Sequence, residues 1–278
     1  GHFMKKILFV TDFYYEAKGR LYYEEDLFLT GQLRKDFDLV ICNPKDMNKF
    51  TEDFDLTIFR NAGPIANFKE EYDLFRQNIS SKKLNTYNSF NGKGDMNGKD
   101  YLIELTNKGF DVIKTIDTLQ NFDKLPESKT YVVKPKDGAD SIGIEFLSKD
   151  EVFKTVDKND KNTLIQPLIN FDYEVSFYFI DKEFQYALYA PDKNRRWELK
   201  EYTPTKEDLE FAQSFIEWNN LDHGIQRVDA CRDENGQLLL VELEDLNPYL
   251  SLLDISPTLR DKFVTTLKSS IKKALDKN

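Results

Sequence analysis

The sequence predicts a mixed protein in which a parallel α/β lobe at the N terminus is followed by two α+β lobes. Three observations carry that prediction. Apolar runs at 5–10, 37–42 and 54–59 alternate with helix-like text, the pattern of a parallel sheet covered by helices. Short strands and helices then mix through 99–167, as in a compact α+β lobe. Near the end, Gly224–Cys231 and Gln237–Leu243 flank Arg232-Asp233-Glu234-Asn235-Gly236, whose Asn-Gly pair is a strong hairpin signal.

In chain order, the three apolar runs give strands, and 23–35 reads as a helix. Ligands in such lobes bind at the carboxyl ends of the strands, which here carry Asp12, Asn43 and Arg60-Asn61; simple turn residues are an equal reading of each. Asn85 to Gly98 is polar and rich in Asn and Gly, and reads as a linker or mobile loop. A helix at 99–108 ends at Gly109 as its cap. A short strand follows at 110–115, then a helical turn at 118–125, strands at 130–135 and 144–146, a helix at 149–156 and a strand at 163–167. Two strands pair around Asp181-Lys182, and 205–218 is an amphipathic helix. A last helix at 257–277 carries Phe263, Leu267, Ile271 and Leu275 at i, i+4 spacing, for packing. The expected division is 4–96, 97–168 and 169–278.

Composition narrows the chemistry. With 278 residues, 40% hydrophobic and 14% aromatic, the chain can bury a substantial core. A net charge of −10 argues against nucleic acid or an anionic membrane as partner, so any phosphate ligand needs locally placed lysines and metal. Two cysteines, Cys42 and Cys231, are too few for a disulfide framework and fit a reducing cytoplasm. No apolar run approaches the roughly 18 residues of a spanning helix. Gly1-His2-Phe3 ahead of Met4 reads as a cloning remnant, which leaves His223 as the sole histidine. Carboxylate, lysine and arginine chemistry remains.

The densest signal is Arg227-Val228-Asp229 with Glu242-Leu243-Glu244 across the hairpin. Side chains alternate along a strand, so Glu242 and Glu244 share a face, with α-carbons ~7 Å apart, and Asp229 joins them from the partner strand. Hard oxygen ligands of this kind suit Mg²⁺ bound together with substrate phosphates. Arg227 on the same face is the usual partner of phosphate or acyl-phosphate charge. A second signal is Val132-Val133-Lys134-Pro135 leading into 136–144, with two glycines and Ser141, a loop able to fold over a triphosphate.

Taken in order, Asn97-Gly98-Lys99, Val-Lys134-Pro with its loop, Gln166-Pro167-Leu168-Ile169, Tyr173-Glu174-Val175, Arg227-Val-Asp229 and Glu242-Leu-Glu244 resemble the ATP-grasp superfamily over 97–252. Glu242 to Leu250 is similar to the branch of D-cycloserine-forming and glutathione-synthetase-like ligases, and the loop length is similar to that of D-alanine–D-alanine ligases. The resemblance implies a Rossmann-like N-terminal lobe and two α+β lobes enclosing ATP. It implies that Lys99 and Lys134 bind phosphates, that Gln166 with the backbone of Leu168 and Ile169 reads adenine, and that Glu174 holds the ribose. Ser141 and Gly143 would lie in the lid. Asp229, Glu242 and Glu244 would carry two Mg²⁺ ions, with Mn²⁺ as a substitute, and Arg227 would stabilise the acyl phosphate and the tetrahedral intermediate. The implied reaction is biosynthetic and cytoplasmic: ATP-dependent joining of a small carboxylate to an amine, by a monomer or homodimer.

Some assignments stay open in the sequence. A shift of register would nominate Asp245 and Asn247 in place of Glu244. Asp137 and Asp140 would repel ATP unless they face solvent or an amine substrate, which keeps a degenerate nucleotide-binding protein in play. A peptide or protein acceptor is a third option. Arg195-Arg196 either reach the γ-phosphate or a substrate carboxylate, or form a solvated turn.

Overall fold

A computed structural model describes residues 4–137 and 143–277. The N-terminal sheet is parallel, with strands β1 (Lys6–Val10), β2 (Asp38–Cys42), β3 (Leu56–Phe59) and β4 (Thr86–Tyr87) in the order β2-β1-β3-β4. β1 is apolar throughout its buried length because both faces are covered. Ile7 and Phe9 pack with Leu29 and Leu33 of helix α1 (Glu24–Leu33), while Leu8 and Val10 pack with Tyr72 and Phe75 of helix α2 (Lys69–Ser81). The sequence suggests no element for 69–81, where α2 forms, and β4 falls inside the 85–98 stretch that reads as a linker.

The small sheet is antiparallel, β6-β5-β7, built from β5 (Tyr131–Pro135), β6 (Glu145–Leu147) and β7 (Thr163–Pro167). Helix α4 (Lys149–Thr155) starts at a Ser148/Glu151 capping box and buries Val152 against Tyr131, Val133 and Ile165. The large sheet is antiparallel, in the order β10-β9-β8-β11-β12, from β8 (Phe171–Ile180), β9 (Glu183–Ala190), β10 (Lys200–Glu201), β11 (Ile225–Asp233) and β12 (Leu238–Glu244). Helices α3 (Tyr101–Asn107) and α5 (Lys206–Asn219) cover one face of it, over Phe177, Val228 and Leu240. The last helix, α6 (Pro257–Asp276), buries Phe263, Leu267, Ile271 and Leu275 as its spacing predicts, in the same core as Ile7 and Phe9.

Two features depart from the sequence reading. Asn85–Gly98 is packed rather than a loose linker: Tyr87, Asn88 and Met96 are buried, and Asn88 exchanges hydrogen bonds with the backbone of Ile225 at 2.6 and 2.8 Å. Residues 110–115 form no strand of their own. Instead Val112 bridges Leu240 at the edge of the large sheet and Ile116 bridges Ile165 of the small one, so this segment ties the two sheets together beside the cleft between them.

Candidate active site

The uncovered face of the hairpin carries the chemistry. Arg227 pairs with Glu244 and Asp229 with Glu242 in the ladder, so the four share a face, as the sequence expects of them without fixing the register. A β-bulge refines that reading. Asp229 opposes Glu242 while Ala230 opposes Leu240, so Val241 is the extra residue. The bulge lets Leu240 point into the core while Glu242, two residues on, points to the opposite face. Arg227 forks onto Asp229 with Nε–Oδ1 at 2.7 Å and Nη2–Oδ2 at 2.9 Å, donates Nη1 to the Tyr249 carbonyl at 3.0 Å, and lies 3.7 Å from Glu242 Oε1. Ser176 Oγ donates to Asp229 Oδ1 at 2.7 Å. Glu244 Oε1 accepts from the Leu246 and Asn247 amides at 2.9 and 3.1 Å, which leaves Oε2 without a hydrogen bond among the described residues.

Lys99 joins this cluster from the start of α3. Its Nζ donates to Glu242 Oε2 at 2.9 Å and to Asp95 Oδ2 at 2.8 Å, while Tyr101 Oη holds Asp95 Oδ1 at 2.7 Å. Burial opposes the Lys99 charge, yet Asp95 and Glu242 outweigh it and hold its pKa above the usual range. Lys134, on β5, faces the same cluster and makes no ion pair among the described residues. Burial, and secondarily Lys99, holds its pKa below the usual lysine range. Four carboxylates, Asp95, Asp229, Glu242 and Glu244, thus meet three cations. Burial, reinforced by Glu242, raises the pKa of Asp95 well above its ordinary value despite Lys99. Asp229 is raised by burial and by Glu242 against the pull of Arg227, to about 7.

That surplus of hard oxygen donors fits Mg²⁺ or Mn²⁺. Among the described residues no three acidic, His or Cys side chains form a ready-made metal cage. The fit rests on the shortage of positive charge and on the free Oε2 of Glu244. Asp245 does not belong to it. It is fully buried, with its oxygens taken by the Gly94 and Met96 amides at 2.8 and 2.9 Å and by Asn219 Nδ2 at 3.1 Å. Asn247 donates Nδ2 to the Arg60 carbonyl at 2.9 Å, which orients its amide and does not engage Oδ1. Of the register alternatives, Asp245 is turned away, while Glu244 and Asn247 both border the cavity that Lys99, Arg227 and Glu242 line.

The remaining site residues flank the cleft. Leu168 and Ile169 border a cavity of about 790 Å³, together with Lys114 and Leu239, between the small sheet and the hairpin. Gln166 lies beside them, but its side chain is buried and donates Nε2 to Thr115 Oγ1 at 2.8 Å, so it braces the 166–169 segment from beneath. Glu174 is clasped by Arg196, with Nε–Oε1 at 2.7 Å and Nη2–Oε2 at 3.0 Å. Arg195 instead pairs with Glu198 on the exposed surface. Gly143 has φ +78°, and a Cβ there would come within 3.2 Å of the Pro135 ring. Ser141 and Asp140 lie outside the described residues, and Asp137 is exposed.

A second cavity, of about 580 Å³, opens between the Arg227 face and the N-terminal lobe. Its walls include residues the sequence reading did not select: Asp95, Tyr15, Arg20, Tyr22 and Tyr249. Asp95 carries no motif of its own; the Gly94–Asn97 turn sets it against Lys99. Of the strand-end residues, Asp12 and Asn43 serve turns, accepting from the Tyr14 and Lys45 amides. Asn61 lines this cavity. Arg60 is 3% exposed and donates Nη2 to Glu25 Oε2 at 3.0 Å and to the Pro248 carbonyl at 2.9 Å. It locks the N-terminal lobe to the turn that follows Asn247.

No protein-family model matches the chain, and no curated protein matches it. Solved structures do. The D-cycloserine synthetase DcsG matches with a TM-score of 0.68 at 19% identity, over 94% of this chain and 98% of that one. The D-alanine–D-alanine ligase of Bacillus anthracis, solved with ATP, matches with a TM-score of 0.68 at 16% identity, over 98% of each chain. The ATP-grasp ligase PsnB, solved with precursor peptide PsnA2 and AMPPNP, matches with a TM-score of 0.63 at 12% identity, over 96% of this chain and 97% of that one. The chain has the ATP-grasp fold, in agreement with the resemblance its motifs carry. Among the described residues, no helix is long and apolar enough to cross a membrane.

Proposed function

We propose that the protein is an ATP-dependent carboxylate–amine ligase that forms an amide or peptide bond through an acyl phosphate and releases ADP and phosphate. The observation that carries this reading is the convergence of Lys99 and, from the small sheet, Lys134 on the hairpin face that carries Arg227, Asp229, Glu242 and Glu244, with the 580 Å³ cavity beside that face. A carboxylate is a poor electrophile. Transfer of the γ-phosphoryl group to its oxygen makes a mixed anhydride; the amine then adds to the carbonyl carbon, phosphate leaves, and the nitrogen sheds a proton. No protein nucleophile is needed for these steps, and burial pushes the thiol of Cys231, two residues beyond Asp229 on β11, up to about 12.

Each residue has a role in this reading. Lys134, without an ion pair among the described residues and partly desolvated, meets phosphate oxygens, and Lys99 does so from the other side while orienting Glu242. Arg227, fixed by its fork onto Asp229 and by the Tyr249 carbonyl, is preorganised to meet charge developing on the acyl oxygen without reorganising during the reaction. Asp229, Glu242 and Glu244 would hold the metal. Bound Mg²⁺ neutralises phosphate charge and aligns the transferring group. Leu168 and Ile169 would border the adenine, and Glu174 the ribose once Arg196 is displaced or shared.

The test is ADP release from Mg·ATP in a screen of acids paired with amines. The expected result is release that needs both partners and is lost in Lys134→Ala and Glu242→Ala, with both variants folded. Full activity in either variant would overturn the site assignment. A peptide acceptor is the second reading, favoured by the likeness to PsnB with its precursor and by Trp197, which is 64% exposed next to the Arg196–Glu174 pair.

A further inference from the structure

The geometry points to Arg20 as the anchor for a second, non-reacting carboxylate on the substrate, in a tyrosine-walled subsite of the 580 Å³ cavity; this inference rests on the ligase reading above. Arg20 sits at the end of a tight turn. The Arg20 amide donates to the Ala17 carbonyl at 2.9 Å, and Lys18 and Gly19 between them have φ +54° and +70°, the geometry that closes a two-residue hairpin. The turn fixes where the side chain starts, and Tyr249 fixes where it ends: the guanidinium carbon lies 5.6 Å from the centre of the Tyr249 ring.

Charge pairing separates Arg20 from the other cations that border or underlie this cavity. Arg60 is paired with Glu25, Lys99 with Asp95 and Glu242, and Arg227 with Asp229. Arg20 makes no ion pair among the described residues, although it is partly shielded from solvent. A half-buried guanidinium held over a ring keeps its hydrogen-bond donors for an incoming acceptor, and its planar fork matches a carboxylate. The walls suit a small apolar body. Tyr15 and Tyr22 stack at 5.7 Å, Tyr22 meets Tyr249 edge-on at 4.8 Å, and the Tyr15 ring lies so close over Gly63 that an added Cβ would come within 3.0 Å of it. Tyr249 couples the subsite to the reacting centre, because its ring receives Arg20 while its carbonyl receives Arg227 at 3.0 Å. A substrate spanning the two arginines carries one carboxyl function for each.

The second carboxylate belongs either to the acid that is activated or to the amine that attacks, and two experimental arms separate these sources. Dicarboxylic acids are compared with their monoamides for the acid, and α-amino acids of both hands with their α-carboxamides for the amine. Each pair is assayed for ADP release with Mg·ATP in wild type, Arg20→Gln and Arg20→Lys. The expected result is at least one pair in which wild type shows a KM roughly tenfold or more lower for the carboxylate than for its amide. Arg20→Gln erases that difference by raising the KM of the carboxylate, and Arg20→Lys restores part of it. The rise in unfolding midpoint with Mg·ATP alone is expected to be the same in all three proteins, which shows that the nucleotide site is intact. Discrimination that survives in Arg20→Gln, or no discriminated pair in either arm, overturns the inference. Failure of the ligase reading itself is visible separately, as wild type without a Mg·ATP shift or ADP release, and would overturn the inference with it.

Discussion

Asp245 offers the sharpest test of how the site is built, because it stands beside the proposed metal ligands yet is buried with its oxygens held by backbone amides and Asn219. In Asp245→Ala, three buried donors lose their acceptor: the Gly94 and Met96 amides and Asn219 Nδ2. Each stranded donor costs about 1–3 kcal/mol. Part of that is returned, since burial already pushes the Asp245 carboxyl up to about 6 and its charge is costly to hold. A net loss of about 3 kcal/mol follows, which for a chain of this length lowers the unfolding midpoint by roughly 6–12 °C. The Gly94–Asn97 turn also carries Asp95, so Lys99 loses its register against Glu242. The assay is thermal unfolding of wild type, Asp245→Ala and Glu242→Ala without nucleotide and with Mg·ATP. Asp245→Ala is expected to be much less stable without ligand, and Glu242→Ala to be near wild type but lose the Mg-dependent gain. An Asp245→Ala protein of wild-type stability that no longer responds to Mg·ATP would refute the reasoning and make Asp245 a ligand.

Lys134→Ala removes a cation without an ion pair among the described residues, which burial and Lys99 already disfavour, so stability is expected to hold or rise slightly in urea unfolding while the Mg·ATP shift is lost. Arg60→Met leaves Glu25 and Asp26 as buried carboxylates without their cation and is expected to cost about 3–5 kcal/mol in the same assay. The Glu25 carboxyl is raised by burial, against Arg60, to about 7. The folded state therefore keeps a proton there that the unfolded chain has lost. Its contribution to stability is full below the ordinary glutamate pKa and declines as pH rises toward about 7. Over that window wild type is expected to lose stability relative to Glu25→Gln, as followed by urea midpoints; a constant difference would contradict the assignment.

Much of this architecture was legible because its signals are local. The Asn235-Gly236 turn and the apolar text on either side put Asp229 on the strand that partners Glu242 and Glu244, and Ser148, Thr205 and Ser256 mark the starts of α4, α5 and α6 as caps. What escaped depends on partners far along the chain. Asn85–Gly98 reads as polar text, but Asn88 is buried by Ile225, and any Cβ at Gly224 would collide with the Asn88 side chain. The bulge at Val241 is invisible to a strict two-residue period, which would put Leu240 and Glu242 on one face. Arg20 and the three tyrosines carry no motif; only the meeting of the N-terminal turn with Tyr249 assembles them.

The central claim is that the cleft between the small sheet and the hairpin binds an adenine nucleotide with magnesium. Thermal unfolding of wild type with ATP, ADP or GTP, each with and without Mg²⁺, tests it most directly, because a ligand bound only by the native state adds about 2.7 kcal/mol at a concentration ~100 times its Kd. The expected result is a rise in midpoint specific to adenine nucleotides and enhanced by Mg²⁺. No shift with any nucleotide would contradict the claim.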